Sequence, residues 1–109
     1  KLSSQNQFFE YIDNKYLIGK VGNERVLLFV NRNIMNAVVP SCITKIASDS
    51  FAYCKSLKSV SFDVDSKIKT ICKFAFANSN VESLSLPSSI ECLEDGWCYG
   101  ISKLNDISV

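Results

Sequence analysis

Cys54 is the residue whose neighbours most suggest chemistry, because Lys55 and Lys58 follow it closely in the sequence. Nearby cations lower the pKa of a thiol and favour the reactive thiolate. A nucleophilic cysteine also needs a base, and the chain contains no histidine. We therefore interpret Cys54 as a small apolar side chain that fills an interior position.

The stretch DVDSKIKT begins like a calcium-binding loop, with carboxylates at Asp63 and Asp65. Such a loop then needs oxygen ligands, a central glycine and a closing glutamate, where this chain has Lys67, Ile68 and Phe74. We predict a lengthened polar turn that bulges outward, and no metal site.

Glu94 and Asp95 are adjacent acidic residues that resemble a pair of catalytic carboxylates. Adjacent side chains point in different directions, so we predict instead that they begin a short helical turn before Trp97. Gly19 and Lys20 lack the other residues of a phosphate-binding loop. The sequence therefore predicts no catalytic residue, no metal ligand, no cofactor and no enzymatic activity.

Five lysines in the central part of the chain suggest a small basic patch. They are Lys55, Lys58, Lys67, Lys69 and Lys73. Asp49, Asp63 and Asp65 lie among them, which favours a solvated face of mutually neutralised charges.

Length and composition indicate one folded domain. The chain has 109 residues, 47% of them hydrophobic, and a formal net charge of +1. A balanced charge does not attract nucleic acid, and no apolar run reaches the ~20 residues that span a bilayer, so we expect neither nucleic-acid binding nor membrane insertion. The five cysteines include no Cys-x-x-Cys pair, which predicts neither a zinc site nor a closed disulfide framework.

An internal repeat organises most of the chain. The spacing apolar-x-x-apolar-x-apolar occurs four times, with starts 23, 24 and 23 residues apart, and each copy ends in the alternation typical of a half-buried strand. The copies are Ile34/Ala37/Val39, Leu57/Val60/Phe62, Val81/Leu84/Leu86 and Leu104/Ile107/Val109. A unit of about 23 residues cannot bury its own apolar side, so the copies must stack.

Two further apolar elements follow the strand in the first three copies. They are the pairs Ile43/Ile46, Ile68/Ile71 and Ile90/Leu93, and then Ser50-Phe51, Ala75-Phe76 and Gly96-Trp97. Stacking aligns equivalent residues in columns, with Trp97 below Phe51 and Phe76. The predicted core contains Phe51, Leu57, Val60, Phe62, Phe76, Val81, Leu84, Leu86, Trp97, Leu104 and Ile107.

Residues 1–33 have no repeat register. Apolar runs at 8–12, 16–18 and 26–30 are separated by the turn signals Asp13-Asn14 and Gly22-Asn23. We predict an antiparallel hairpin or meander that covers the first edge of residues 34–109 and forms one continuous domain with them. The strand that ends at Val109 has no such cover, and we expect the chain to be a fragment of a larger repeat protein.

The stretches VVPSCITKIASDSFAYCKSLKSVSF and LSLPSSIECLEDGW resemble the BspA-like leucine-rich repeats of bacterial surface proteins and parasitic protists. The resemblance covers residues 34–109, and the preceding stretch YIDNKYLIGKVGNERVLLFV also resembles the hairpin insertion that interrupts arrays of this family. It implies an α/β, mainly β, solenoid of about three to four repeats with short helical turns. It also implies that the chain binds other macromolecules, takes part in adhesion and lies at a cell surface. It implies no catalytic activity. The chain departs from the general repeat, because only Cys42 fills its Asn/Cys position.

The outward positions of the predicted strands form a surface that we name the polar strip. Its residues are Lys58, Ser59, Ser61, Glu82, Ser83, Ser85, Asn105, Asp106 and Ser108. A flat strip of serines and mixed charge is better suited to contact with a protein or a glycan than to binding a small molecule, which needs a deep pocket. We therefore predict a non-enzymatic binding or adhesion module.

An alternative is a structural component that docks to another chain, or forms oligomers, through its open C-terminal edge. The odd number of cysteines and the absence of an Asn-x-Ser/Thr glycosylation site fit an intracellular location as well as a surface one.

Overall fold

The computed structural model describes residues 7–12, 15–101 and 106–108, with the backbone alone for Gln7, Phe8, Val21 and residues 106–108. Ten strands occur in this part of the chain: β1 (Gln7–Ile12), β2 (Tyr16–Val21), β3 (Glu24–Val30), β4 (Asn36–Val39), β5 (Lys45–Ile46), β6 (Ser59–Phe62), β7 (Thr70–Ile71), β8 (Ser83–Ser85), β9 (Cys92–Leu93) and β10 (Asp106–Ser108). The described residues form no helix, which confirms a mainly β protein. They therefore include no helix that could cross a membrane.

An antiparallel meander of β1, β2 and β3 forms the N-terminal end. Gly22 has a φ of 59° in the turn between β2 and β3, a left-handed conformation that glycine adopts without steric cost. One face of the meander is buried, because Tyr16, Ile18, Leu27 and Val30 are at most 4% exposed. The meander thus contributes its own apolar face to the core.

The meander continues into a six-stranded sheet with the order β1-β2-β3-β5-β7-β9. The strands β3, β5, β7 and β9 run parallel, and Leu27, Ile46 and Ile71 stand in register, each 0% exposed. The edge of β5 is therefore paired with β3, which leaves its backbone groups no freedom to pair with another chain.

The strands of the repeat spacing form a second, parallel sheet with the order β10-β8-β6-β4. Ala37, Val60 and Leu84 stand opposite one another and are at most 2% exposed. These residues belong to the same hydrophobic cluster as Leu27 and Ile46 of the first sheet. The core therefore lies between the two sheets.

The predicted core residues differ in their depth. Phe51, Leu57, Phe76 and Val81 are fully buried, Val60, Leu84 and Leu86 are buried, and Phe62 and Trp97 are partly buried against the cluster. Leu104 lies outside the described residues, and only the backbone of Ile107 is described. The aromatic rings of Phe51 and Phe76 pack with centroids 4.7 Å apart.

The predicted short helical turns are wrong. After β5, the N–H groups of Ser50, Ala52 and Cys54 each bond to the carbonyl three residues earlier. However, Asp49 and Tyr53 have φ angles of 63° and 61°, which a right-handed helix does not contain. The segment is a succession of tight turns.

The same conformation recurs in the next two units. The corresponding positive φ angles belong to Phe74 and Asn78, and to Gly96 and Gly100. Glu94 and Asp95 therefore precede a turn and not a helix. A residue with positive φ at every fourth position turns the chain. The backbone groups that form no bond within the turns then point sideways and bond to the neighbouring unit.

These sideways bonds form a ladder that we name the turn ladder. The N–H groups of Phe51, Tyr53, Phe76 and Asn78 donate to the carbonyls of Ala75, Ala77, Trp97 and Tyr99, respectively, over 2.8–2.9 Å. By this register, the residue in the column of Phe51 and Phe76 is Cys98. Trp97 lies one position before this column, and its ring packs edge-on against Phe76, with the ring centroids 6.1 Å apart.

Arg32 ends the turn ladder on the N-terminal side. The carbonyls of Ser50 and Ala52 face away from the second unit, and the Arg32 guanidinium donates to both of them, at 3.4 and 2.5 Å. The guanidinium also lies 4.3 Å from the centre of the Phe29 ring. A single side chain therefore satisfies the backbone groups that a preceding unit would otherwise satisfy.

Candidate binding surface

The polar strip lies on the outward face of the four-stranded sheet. One row of directly opposed residues is Asn36, Ser59, Ser83 and Asp106, and two further pairs are Val38 with Ser61 and Ser85 with Ser108. Lys58 and Ser85 are exposed, and Ser59, Ser61, Glu82 and Ser83 are half-buried. Asn105 lies outside the described residues, and the side chains of Asp106 and Ser108 are not described.

The first strand adds residues to this face that the sequence prediction omitted. Met35, Asn36 and Val38 precede and alternate with the buried Ala37 and Val39, and Met35 and Val38 are 52% and 47% exposed. They occupy the positions that Lys58, Ser59 and Ser61 occupy in the next copy, so the repeat spacing alone could have found them. The surface is consequently more apolar at β4, where Met35 precedes the strand and Val38 lies on it, than at β6 and β8.

Hydrogen bonds fix neighbouring strands of this surface. The Ser59 hydroxyl donates to Asn36 Oδ1 over 2.8 Å, and the Glu82 N–H donates to the Lys58 carbonyl over 2.8 Å. Lys58 and Glu82 are thus neighbours, yet within the described part of the chain their side chains form no ion pair with each other.

A cavity of about 400 Å³ lies beside β4 at the edge of this surface. Tyr16, which is 4% exposed, forms one wall, and its hydroxyl accepts the Val38 N–H over 2.9 Å. Lys15 and Asp63 place opposite charges at the cavity. The cavity has room for a side chain of a partner that lies across the strip.

A larger open cavity of about 1000 Å³ lies at the turns of the second and third units. Phe74 and Tyr99 line it, with ring centroids 6.0 Å apart, together with Glu94 and Asp95. The Glu94 carboxylate accepts the Lys73 N–H over 3.1 Å. Glu94 therefore links two neighbouring units.

The Cys54 thiol is fully buried, as expected for a packing residue. Burial raises its pKa above the ordinary 9.0, although the hydrogen bond and the charge of Arg32 oppose this shift. The Arg32 guanidinium lies 3.2 Å from Cys54 Sγ. Burial also raises the pKa of Cys72 and of Cys98.

All five cysteines are free thiols. With a raised pKa, the Cys54 thiolate is scarce at neutral pH, and its sulfur lies out of reach of solvent.

The calcium-like stretch forms an exposed turn. Val64 is 83% exposed, and Asp65 has a φ of 62°. Within the described ranges, no group of three metal-ligating side chains surrounds a common point. Of the lysines of the suggested basic patch, Lys69 pairs with Glu91 at 3.2 Å, and Lys67 lines a cavity near the β2–β3 turn.

Comparison with known proteins assigns the chain to a family. The model of the BspA type leucine-rich repeat region, described with six copies, matches residues 26–109, the greater part of the chain. The match begins inside β3 and so includes the last strand of the meander. No curated protein and no solved structure matches the chain significantly. Repeats of this family are generally non-catalytic and indicate a protein-interaction module. The match confirms the resemblance seen in the sequence: the chain belongs to the BspA type leucine-rich repeat family.

Proposed function

We propose that the chain is a non-enzymatic binding module that contacts a partner protein through the polar strip, extended by Met35, Asn36 and Val38. One observation carries this proposal: the outward face joins two exposed apolar side chains, Met35 just before β4 and Val38 on β4, to rows of serine hydroxyls on β6 and β8. Interfaces commonly have an apolar centre, in which methionine is enriched, and a polar rim.

The geometry of this face favours an extended ligand. Neighbouring parallel strands place equivalent side chains about 5 Å apart, so a chain lying across β4, β6 and β8 would meet a new row at each step. Lys58 and Glu82 carry charges of opposite sign within this face and form no ion pair among the described residues, and the cavity beside Val38 has room for one larger side chain. A glycan that carries hydroxyl groups would use the serine rows without the cavity.

The parallel registers of β4, β6 and β8, and of β5, β7 and β9, support a short solenoid of about three to four repeats. We also propose a cell-surface location and a role in adhesion, in keeping with the family. Surface labelling of intact cells that express the full-length protein tests the location.

The binding proposal is tested by selecting ligands for the isolated chain from a displayed peptide library and a glycan array. The affinity of each ligand is then measured for the wild type and for Val38→Glu, Lys58→Glu, Glu82→Lys and Asp106→Lys. We expect each strip variant to bind at least tenfold more weakly, with an unchanged melting temperature.

Val64→Glu and Lys73→Glu are matched controls, because both residues are exposed and lie outside the strip. They should bind as the wild type does. Equal affinity of the strip variants and the controls would place the binding site on another face.

A second candidate function is assembly through the C-terminal edge. Leu93 is 42% exposed, whereas its counterparts Ile46 and Ile71 are fully buried. Within the described residues, the N–H groups of Cys98 and Gly100 donate to no backbone carbonyl, although their counterparts donate to the turn ladder. Another repeat or another chain would satisfy these groups.

Sedimentation velocity tests this second function. Self-association at high concentration that Leu93→Lys abolishes would support it. A strictly monomeric chain would contradict assembly between copies through this edge.

A further inference from the structure

The open cavity of about 1000 Å³ at the turns of the second and third units shares no residue with the polar strip. Two exposed aromatic side chains line it, Phe74 and Tyr99, together with charged groups of both signs. The acidic residues are Glu94 and Asp95, and the basic residue is Lys73. The cavity therefore offers apolar, anionic and cationic groups to one small ligand.

Gly96 allows the two units to approach closely at this cavity. It has a φ of 69°, and Phe74 has a φ of 60° at the equivalent position of the second unit. A Cβ atom on Gly96 would lie 2.7 Å from Phe74 Cε1, so a larger residue would displace the ring. The ring of Tyr99 meets that of Phe74 edge-on, with centroids 6.0 Å apart. The fold thus holds the two rings side by side.

The two rings have no cation of the chain itself over them. In the first unit, by contrast, the Lys55 ammonium group lies 5.7 Å from the centre of the Tyr53 ring. Among the described residues, no such group lies over the ring of Phe74 or of Tyr99. Because an aromatic ring attracts a cation to its face, these rings can receive a cation from a ligand.

The carboxylates beside the rings also have no cationic partner. The Asp95 carboxylate is exposed and forms no ion pair within the described ranges. Glu94 Oε1 accepts the Lys73 N–H over 3.1 Å, which holds this carboxylate at the cavity, and Glu94 forms no ion pair with any described side chain. A cation held between the rings and the carboxylates would be attracted by both.

We propose that this cavity binds a phosphocholine group. Its trimethylammonium end contacts Phe74 and Tyr99 and is attracted by the two carboxylates, because aromatic rings favour a quaternary ammonium group. Its phosphate end faces Lys73, whose ammonium group acts as a point charge toward phosphate oxygens. A simple cation would use the rings and the carboxylates but would be repelled by Lys73, whereas this zwitterion uses all of them. This function is separate from the proposed protein binding.

The test is an NMR titration of the ¹⁵N-labelled chain with phosphocholine and with choline, at constant ionic strength. We expect saturable shifts of the Phe74, Gly96 and Tyr99 amide signals. Tyr99→Ala and Asp95→Asn should each weaken binding of both ligands at least about fivefold, because each removes an attraction on the ammonium group. Tyr53→Ala is the matched control, since Tyr53 and Tyr99 are both 63% exposed and Tyr53 lies outside this cavity.

A substitution of Lys73 separates the two ends of the ligand. Lys73→Gln should weaken phosphocholine binding at least about threefold, because it removes the cation that faces the phosphate, and it should not weaken choline binding. Lys67→Gln is the control, since Lys67 is an exposed lysine outside this cavity, and it should bind both ligands as the wild type does.

Further ligands define the group and its source. Phosphoethanolamine should bind more weakly than phosphocholine, because its primary ammonium group is more strongly hydrated. Glycerophosphocholine and vesicles of phosphatidylcholine present the same group in soluble and in membrane form, with phosphatidylglycerol vesicles as the control. Binding to both forms would support the site with a lipid headgroup as its source. Binding to the soluble form alone would support it with a soluble source.

Three results would overturn the proposal. They are the absence of saturable shifts at Gly96 and Tyr99, equal phosphocholine affinity of Tyr99→Ala and Tyr53→Ala, and an equal effect of Lys73→Gln on choline and phosphocholine. Dispersed amide signals of each variant show that it is folded.

Discussion

The outermost units of the repeat region each lack one neighbouring unit, and the two ends differ in how the unpaired backbone groups are satisfied. At the N-terminal end, β3 pairs with β5, the Arg32 guanidinium binds the outer carbonyls of the turn ladder, and the Tyr16 hydroxyl accepts the outer N–H of β4. At the C-terminal end, Leu93 is 42% exposed, and the N–H groups of Cys98 and Gly100 donate to no backbone carbonyl among the described residues. Within the part of the chain that the structure describes, the first end is closed and the last end is open.

This difference shows that the two ends of a repeat array expose different backbone groups. The first end of the turn ladder exposes carbonyls, which one arginine can satisfy as a donor. The last end exposes N–H groups, for which an arginine is useless. A cap for that end needs acceptors for the turn ladder and an apolar surface for Leu93.

The largest effect should come from the aromatic residues of the turns. Phe76→Ala should lower the free energy of unfolding by about 3–5 kcal/mol, because Phe76 is fully buried between Phe51 and Trp97. Trp97→Ala should cost about 1–2 kcal/mol, since Trp97 lies at the open end and is only partly buried. Urea denaturation measures both values. Equal losses would mean that the C-terminal end is as well packed as the centre.

Removal of the arginine cap should have the next largest effect. Arg32→Met keeps much of the side-chain volume but leaves the carbonyls of Ser50 and Ala52 without their donor, which should cost about 1–3 kcal/mol. Arg25→Met is the matched control, because the Arg25 guanidinium has no hydrogen bond among the described residues. We expect it to change stability by less than about 0.5 kcal/mol. Thermal unfolding of both variants at one pH compares them, and equal costs would refute the capping role.

The rate of thiol modification should differ between the two ends, and its measurement needs no destabilising substitution. Cys54 lies beneath the arginine cap, is fully buried and has a raised pKa, whereas Cys92 is exposed on the last edge strand. A bulky maleimide at pH 7 should modify Cys92 at least about a hundredfold faster than Cys54. Mass spectrometry of digested samples gives both rates. Rapid modification of Cys54 would show that the N-terminal end opens readily.

The spacing of apolar residues predicted the repeat strands because alternation along a half-buried strand leaves a direct trace in the sequence. It marked β4, β6 and β8, and the pairs around Ile46 and Ile71 marked β5 and β7. The turns left a weaker trace. Gly96 and Gly100 indicate positive φ in the third unit, but Tyr53 and Phe74 adopt the same conformation with no such signal. A helical turn was therefore the wrong inference.

The features that join distant residues could not be predicted from the sequence. Arg32 reaches carbonyls 18 and 20 residues away, and no local pattern records that contact. Residue type also misled the alignment, because Trp97 is aromatic like Phe76, whereas the hydrogen bonds place Cys98 in that column.

Amide hydrogen exchange measured residue by residue at low protein concentration tests the closed and open ends most directly. The amides of Phe51, Tyr53, Phe76 and Asn78 donate to the turn ladder and should exchange slowly. Those of Cys98 and Gly100 occupy the same positions in the last unit and should exchange near the rate of an unprotected amide. Equal protection of Cys98 or Gly100 and their counterparts Phe76 and Asn78 would contradict an open C-terminal edge.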